Sequence, residues 1–581
     1  MKHRVSCAAS SKGKARVSLG LAALALAVVA AVGLVPGNAE DLRIEGMVID
    51  DAGPVVGATV RIQATQIETT TDGEGQFSLA VPAEGTELTV SAWKHLYYCA
   101  KVEGVIPPAE DIGLRLIRYQ TTDNPDFEWM PPTSDDPSVL TCATCKPDVT
   151  AIWLTNAHAG SATNPRYLSM YNGTDLLGNR SPLTRYAYNR DYGEFPLPPV
   201  ADDTYFGPGY TLDFPNTHGN CGACHNPGVA VDKPYGVDPN TVAGADVFGV
   251  HCDYCHKVAD VILDPATRLP YPNMPGVLSS DVRRPFHEDP ERYELFFGPF
   301  DDDNVPEEDT RLPLIQESAF CAPCHHAMFW DTVIYNSYGE WLESPYSDPE
   351  TGKTCQECHM PAPSTLDGTV IANVAPEMGG VERDPMTIRA HSQLGTTDVE
   401  FLQEAVTMTV QTESRSGRLE VAVAITNDKT GHHVPTDSPL RHLILLVEPT
   451  DSTGKALRLI DGPTLPAWCG VGDPKEGYYA GLPGVAYAKV LEELWTGISP
   501  SGSYWNPTRI LSDNRIAAYS TATSQYTFVM PEGGDVEVRV KLLYRRAFKA
   551  LMDQKKWGVP DILMEECQVV VESTENAVAG D

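Results

Sequence analysis

The sequence predicts a multidomain fold: an N-terminal β-sandwich, a loop-rich core of short helices, and a C-terminal β-sandwich-like domain. Three observations carry this. The 581 residues exceed what one ordinary core accommodates. Apolar and polar residues alternate with a period of two towards both ends of the chain. Between those ends, five Cys-x-x-Cys segments succeed one another with only short helical patterns around them. Hydrophobic content of 42% with 21% charge excludes wholesale disorder. The 47 Gly and 47 Pro call for many loops. The formal net charge is −35, a field that repels phosphate backbones and excludes nucleic acid as a partner.

Residues 1–39 read as a secretory signal. Lys2, Arg4, Lys12, Lys14 and Arg16 precede an apolar run from Val17 to Val35, and Gly37 and Ala39 suit cleavage after Ala39. At about 19 residues the run is also long enough to stay as one membrane anchor. Cys7 lies before the run, so it is not a lipidation site following it. The chain is expected to be exported, to the periplasm or the cell surface, where paired thiols become disulfides or covalent attachment points.

Residues 40–120 form the first β module. Val60 and Ile62 flank Arg61, and Phe77, Leu79 and Val81 alternate with Ser78 and Ala80. Asp51-Ala52-Gly53-Pro54 and Thr71-Asp72-Gly73-Glu74-Gly75 are turn chemistry. The text from Gly46 to Ile62, followed by Thr71 to Phe77, resembles carboxypeptidase regulatory-like β-sandwich modules. That resemblance implies a non-catalytic spacer or adhesion unit. A linker rich in Pro and Asp follows, through Asn124-Pro125-Asp126 and Asp135-Asp136-Pro137. Residues 121–395 contain the cysteine motifs. From 396 to 581 β alternation returns, as in Leu419 to Ile425, Leu443 to Val447 and Val536 to Leu543.

Four segments match Cys-x-x-Cys-His: Cys221-Gly-Ala-Cys224-His225, Cys252-Asp-Tyr-Cys255-His256, Cys321-Ala-Pro-Cys324-His325 and Cys355-Gln-Glu-Cys358-His359. Chance supplies on the order of 0.01 such matches, so four point to haem c. Two thiols three apart reach the two vinyl groups of one porphyrin, and the following His supplies an imidazole to the iron. Redox pairs and zinc sites need no His after every pair, and export disfavours reduced zinc thiolates. A fifth segment, Cys142-Ala-Thr-Cys145-Lys146, ends in Lys. Trp153 and Asn156-Ala157-His158-Ala159 look like the Trp and His-Ala that follow the first haem motif in many multihaem cytochromes. A Lys amine ligates iron only when deprotonated, against a usual pKa near 10.4. Two readings stand for this segment: a Lys-associated haem, or a bare disulfide where a haem was lost. The haem count is therefore four or five.

Low-spin, electron-transferring iron takes a second axial ligand. The candidates in or beside the Cys-rich stretch are His158, His218, His251, His287 and His391. His326 reads as a neighbour of His325. The C-terminal part has its own signature, Asn427-Asp-Lys-Thr-Gly431-His432-His433-Val-Pro435-Thr436 with Arg441, and later Asp513-Asn514-Arg515 and Arg545-Arg546. This text and the paired haem motifs resemble the cytochrome c-554/c-prime-type multihaem family over roughly residues 140–565. The resemblance implies a multihaem electron carrier. His432 or His433 either ligates a haem across a domain interface or is a turn His at a strand end; the turn is the preferred reading. Cys469 and Cys567 both lie in the C-terminal domain and could pair, which would leave Cys99 odd. The run Asp301-Asp302-Asp303-Asn304 with Glu307, Glu308 and Asp309 offers oxygens to Ca²⁺ but lacks calcium-loop spacing, so a solvated acidic loop is preferred.

Three functions compete. The preferred one is a bis-His electron conduit, docking a redox partner through a basic patch on that partner. The second is a reductase: a first motif ending in Lys resembles the ammonia-forming pentahaem nitrite reductases, with Lys146 marking an open catalytic haem. That match rests on Cys142 to Lys146 alone, and the family's catalytic Arg, Tyr and His find no place in the text. The third is a cell-surface binding or filament-forming cytochrome.

Overall fold

The computed structural model describes residues 2–6, 42–81, 85–286, 294–302 and 309–572. The apolar run of the expected signal lies outside the described residues, as do His287, Asp303, Asn304, Glu307 and Glu308. Among the described residues no helix is long and apolar enough to cross a membrane. The chain divides into two compact units. One comprises 9–119 with 300–311; the other comprises 1–8, 120–299 and 312–581.

The smaller unit is built from two four-stranded sheets around one core. In the first, Leu42–Asp50 pairs with Gln76–Val81 antiparallel and with Ala109–Arg115 in parallel. In the second, Thr59–Ile62 lies between Glu68–Thr70 and Leu88–Trp93, and Ala100–Val105 closes the edge. Period-two burial in Gln76–Val81 turns Phe77, Leu79 and Val81 inward, where they meet Val60, Ile62 and Val90 from the other sheet. Gly46 is required where the parallel strand crosses: a Cβ there would sit 2.0 Å from the Ile112 carbonyl oxygen. Of the acidic run, Asp301 and Asp302 are committed within this unit. Asp301 holds Arg61 at 2.9 Å and Arg311 at 3.3 Å, and Asp302 accepts from the Ala64 N–H at 2.6 Å. Those two carboxylates are therefore spent on ion pairing and chain closure. Among the described residues no group of three His, Cys, Asp or Glu converges to hold a bare cation.

The larger unit holds both the cysteine motifs and two five-stranded antiparallel sheets. One sheet runs Lys2–Ser6, Thr407–Arg415, Arg418–Thr426, Thr521–Val529, Leu459–Asp461. The other runs Thr508–Asp513, Gly484–Glu493, His442–Thr450, Val536–Arg545, Ile562–Val571. Their facing sides share a core that includes Val421, Val423, Leu443, Leu445, Val540 and Phe528. His442–Thr450 is a central strand buried on both faces: Leu443, Leu445 and Val447 enter that core, while Ile444 and Leu446 pack outside it. This division corrects one expectation. Cys567 lies in the core between the sheets and Cys469 in the cluster on the outer face, so they do not pair, and Cys469 is a buried free thiol.

Candidate metal centre

Each cysteine motif folds as a single helical turn: Cys142–Cys145, Gly222–His225, Cys252–Cys255, Ala322–His325 and Cys355–His359. One turn puts residues three apart on one face, so both thiols of a motif point the same way. Thr354 and Glu357 close the last turn as a capping box.

The four motif imidazoles share one device. Each engages Nδ1 with a protein oxygen: His225 with the Ser161 carbonyl at 3.2 Å, His256 with Phe297 at 2.7 Å, His359 with Leu394 at 2.5 Å, and His325 with the Asp437 carboxylate at 3.1 Å. Carbonyl and carboxylate oxygens only accept here, so Nδ1 carries the proton and Nε2 keeps a lone pair for a metal. Gly249 makes room for the first contact. Its φ is +79°, and a Cβ there would sit 2.0 Å from Ser161 Oγ.

Three motif rings face a second imidazole. His325 faces His158 with ring centres 6.3 Å apart, His256 faces His391 at 6.4 Å, and His359 faces His432 at 6.2 Å. Two imidazoles on opposite sides of one metal, with metal–nitrogen bonds of about 2.0 Å, have ring centres about 6.3 Å apart. The donor set and its spacing thus fit a six-coordinate haem iron. The partners are held in place as firmly as the motif rings. His158 Nδ1 bonds the Gln393 side-chain oxygen. Asn156 accepts from the His158 N–H at 2.8 Å and donates to the His391 carbonyl at 2.8 Å, so one side chain fixes two partners. His432 Nδ1 bonds the His433 carbonyl at 2.9 Å, and Asn427 donates to the His432 carbonyl at 2.8 Å.

Burial pushes His158, His256, His359 and His391 down to about 4, so all four are neutral, the ligating form, at ordinary pH. Burial pulls His325 down as well, but the hydrogen bond and charge of Asp437 outweigh it and hold it near 9, so this ring, unlike the others, must release its Nε2 proton to ligate a metal. The same pairing keeps the Asp437 carboxyl well below the usual range despite its burial.

The C-terminal signature is the loop that delivers these groups. Glu340, buried, accepts from the Thr436 hydroxyl at 2.5 Å and the His433 N–H at 3.1 Å, and Arg515 grips its other oxygen at 2.7 Å. Ser337 N–H donates to Asp437 at 3.0 Å. His432, expected as a turn residue, is the ring opposite His359; the turn sets its direction. The marks of Asn427 to Thr436 and Arg515 were legible in the text, whereas Asp437 and Gln393 carried no sequence signal.

Thiols of different motifs meet. The sulfurs of Cys142 and Cys252, of Cys224 and Cys324, and of Cys321 and Cys355 lie close enough to interact. The charge of Cys324 also bears on Cys255. All five motifs are linked into one contiguous cluster. Cys142 is not disulfide-bonded, so the bare Cys142–Cys145 disulfide is not present. Lys146 ends the first motif turn, with its N–H on the Cys142 carbonyl at 2.8 Å, and its charge bears on both His256 and His391.

Two expected partners sit elsewhere. His251 is fully buried as the N-cap of Cys252–Cys255, its Nδ1 accepting from the Tyr254 N–H at 3.2 Å. Nε2 then carries the proton, 3.7 Å from Asp246, and offers no lone pair. His218 is exposed and bonds the Tyr171 hydroxyl at 3.1 Å, facing no motif ring. His326 bonds Asn336 at 2.8 Å, as a neighbour should.

No protein-family model matches the chain, and no curated protein matches it. Among solved structures, it is similar to a penta-heme cytochrome c552 from Thermochromatium tepidum, at 18% identity and a TM-score of 0.48, over 74% of this chain and 97% of that one. Two cohesin–X-dockerin complex mutants from Acetivibrio cellulolyticus are similar over 13% of this chain each. One shows 21% identity over 58% of its own chain with a TM-score of 0.12, the other 25% over 51% with a TM-score of 0.11. None of the three reaches the likeness at which a function transfers.

Proposed function

We propose that the protein is an exported multihaem c-type cytochrome that relays electrons through four or five covalently held haems, mostly with two axial imidazoles. The observation that carries this is the set of three imidazole pairs at 6.2, 6.3 and 6.4 Å, each joining a motif His to a His far away in sequence. A bound c-type haem supplies a one-electron couple whose potential follows axial ligand, burial and nearby charge. The chain's own part is to fix ligand tautomers through Nδ1 and to bring the cysteine motifs close together. Paired imidazoles leave no open coordination position at His256, His325 or His359, which favours a relay over chemistry at those positions. The strongly acidic surface suits a basic redox protein, with association weakening as salt rises.

Intact mass of the exported protein tests the reading. Each thioether-linked porphyrin adds about 616 Da at its Cys-x-x-Cys motif. Four or five increments are expected, five if Cys142 and Cys145 are occupied, and three or fewer would refute the reading of the motifs.

A further inference from the structure

We propose that a pocket of arginine and tyrosine side chains beside His225 binds an anion, either a carboxylate or a small oxyanion. The inference rests on the haem reading of Cys221 to His225 and adds a second ligand there. One apolar cluster assembles the pocket. Helix Pro165–Asn172 docks on the segment after the strand Val536–Arg545, with Trp557 Nε1 donating to Ser169 Oγ at 3.1 Å. Met170 packs there with Leu440, Ala547, Phe548 and Leu551. Arg166 stands one turn before Met170, Arg441 directly follows Leu440, and Arg546 directly precedes Ala547. Three guanidiniums are thereby gathered, and the charges of Arg441 and Arg546 both bear on Arg166.

Among the described residues no carboxylate bears on Arg166 or Arg546. Arg441 donates to the Thr436 carbonyl at 3.3 Å and Arg546 to the Thr396 carbonyl at 3.1 Å. Asp437, whose charge reaches Arg441, is already committed to His325. Like charges held together away from water are unfavourable unless an anion joins them, and guanidinium forks match carboxylates and oxyanions.

The tyrosines supply unused donors. Tyr167 stacks flat on His225, ring centres 3.9 Å apart. The Tyr167 and Tyr544 hydroxyls and Arg546 Nε are buried without a hydrogen-bond partner. Tyr335 and Tyr504 meet edge to face, ring centres 5.8 Å apart. Buried donors are ordinarily satisfied, so orphaned phenols next to unneutralised arginines mark a ligand position. His225 is also the one motif imidazole that, among the described residues, faces a tyrosine and no second imidazole.

Two sources supply such an anion: a propionate of a haem bound by the chain, or a free small anion. The full-length haem-loaded protein separates them, using formate and sulfite as probes and calorimetry with low-temperature electron paramagnetic resonance as readouts. For a free anion, a probe binds saturably and perturbs one haem signal, and Arg166→Gln with Arg546→Gln weakens binding tenfold or more while Arg166→Lys largely restores it. For a propionate, neither probe binds, and the double glutamine variant shifts one propionate infrared band and one midpoint potential. If the double variant folds, by its melting curve, and changes neither probe binding nor any haem's band or potential, the anion site is refuted. Peptide mass at Cys221 and Cys224 is read alongside: a peptide without haem overturns the haem reading of that motif, while calorimetry still decides whether the pocket takes an anion.

Discussion

Asp437→Asn isolates the one feature that sets His325 apart from the other motif imidazoles. His225, His256 and His359 donate to neutral carbonyls, whereas His325 donates to a buried carboxylate at 3.1 Å. The substitution keeps the shape and removes the charge. The midpoint between the His158 and His325 rings lies about 7 Å from that carboxylate oxygen, taking about 2.0 Å for a metal–nitrogen bond. At an effective dielectric near 20, a unit charge at about 7 Å is worth about 2.4 kcal/mol. With 59 mV per tenfold change for one electron, this converts to roughly 100 mV. The carboxylate favours the more positive, oxidised iron, so its removal raises the potential. Spectroelectrochemical titration should show one midpoint potential rising by about 100 mV while the others move little. An unchanged or lowered potential, with the melting temperature retained, refutes the assignment of Asp437 as the group that tunes this site.

Replacing His391 or His432 with Ala should each convert one low-spin ferric signal to high spin, and His433→Ala or His218→Ala should convert none; electron paramagnetic resonance checks all four. Glu340→Gln removes one of the two carboxylates on buried Arg515, which keeps Asp513 at 2.7 Å, and should cost about 2 kcal/mol in denaturant melts. Glu340 is held down to about 2, its burial outweighed by His433 and Arg515. Its contribution is therefore full above about pH 4.5 and fades as pH falls towards 2, and the variant should lose that acid limb. His442 is fully buried, with its Nδ1 on the Leu440 carbonyl at 3.2 Å, and burial followed by the Arg545 charge pushes it down to about 3. The unfolded chain takes up that proton first, so this group contributes a fall in stability of about 1.4 kcal/mol per pH unit from about 6.5 towards 3, and His442→Gln should lessen the slope by that amount in melts taken across that range.

What was legible in the sequence was what local chemistry dictates. A Cys-x-x-Cys-His run is readable because one helical turn suffices to build it, and period-two alternation is readable because a half-buried strand imposes it. The second imidazoles were readable only where they stood near landmarks. His158 follows Trp153 and shares Asn156 with its own turn, and His391 stands just beyond the last motif. His432 was assigned to a turn because a strand-end His looks the same whether or not another ring stands 6.2 Å away. His251 misled for the opposite reason: adjacency to Cys252 suggests ligation, while the same adjacency makes it the cap of that motif's helix. Asp437, Gln393 and Arg166 were invisible, and Arg441 and Arg546 stood out as text without a role, since each acquires its role from a segment tens to hundreds of residues away. The two classes of evidence therefore constrain different things. Motif text specifies the thiols and the first imidazole, and long-range packing specifies what stands by each ring: a second imidazole about 6 Å from His256, His325 and His359, and a tyrosine stacked on His225. A relay needs the first arrangement repeated, and a ligand site needs only one departure from it. Among the four motif imidazoles that departure falls at His225.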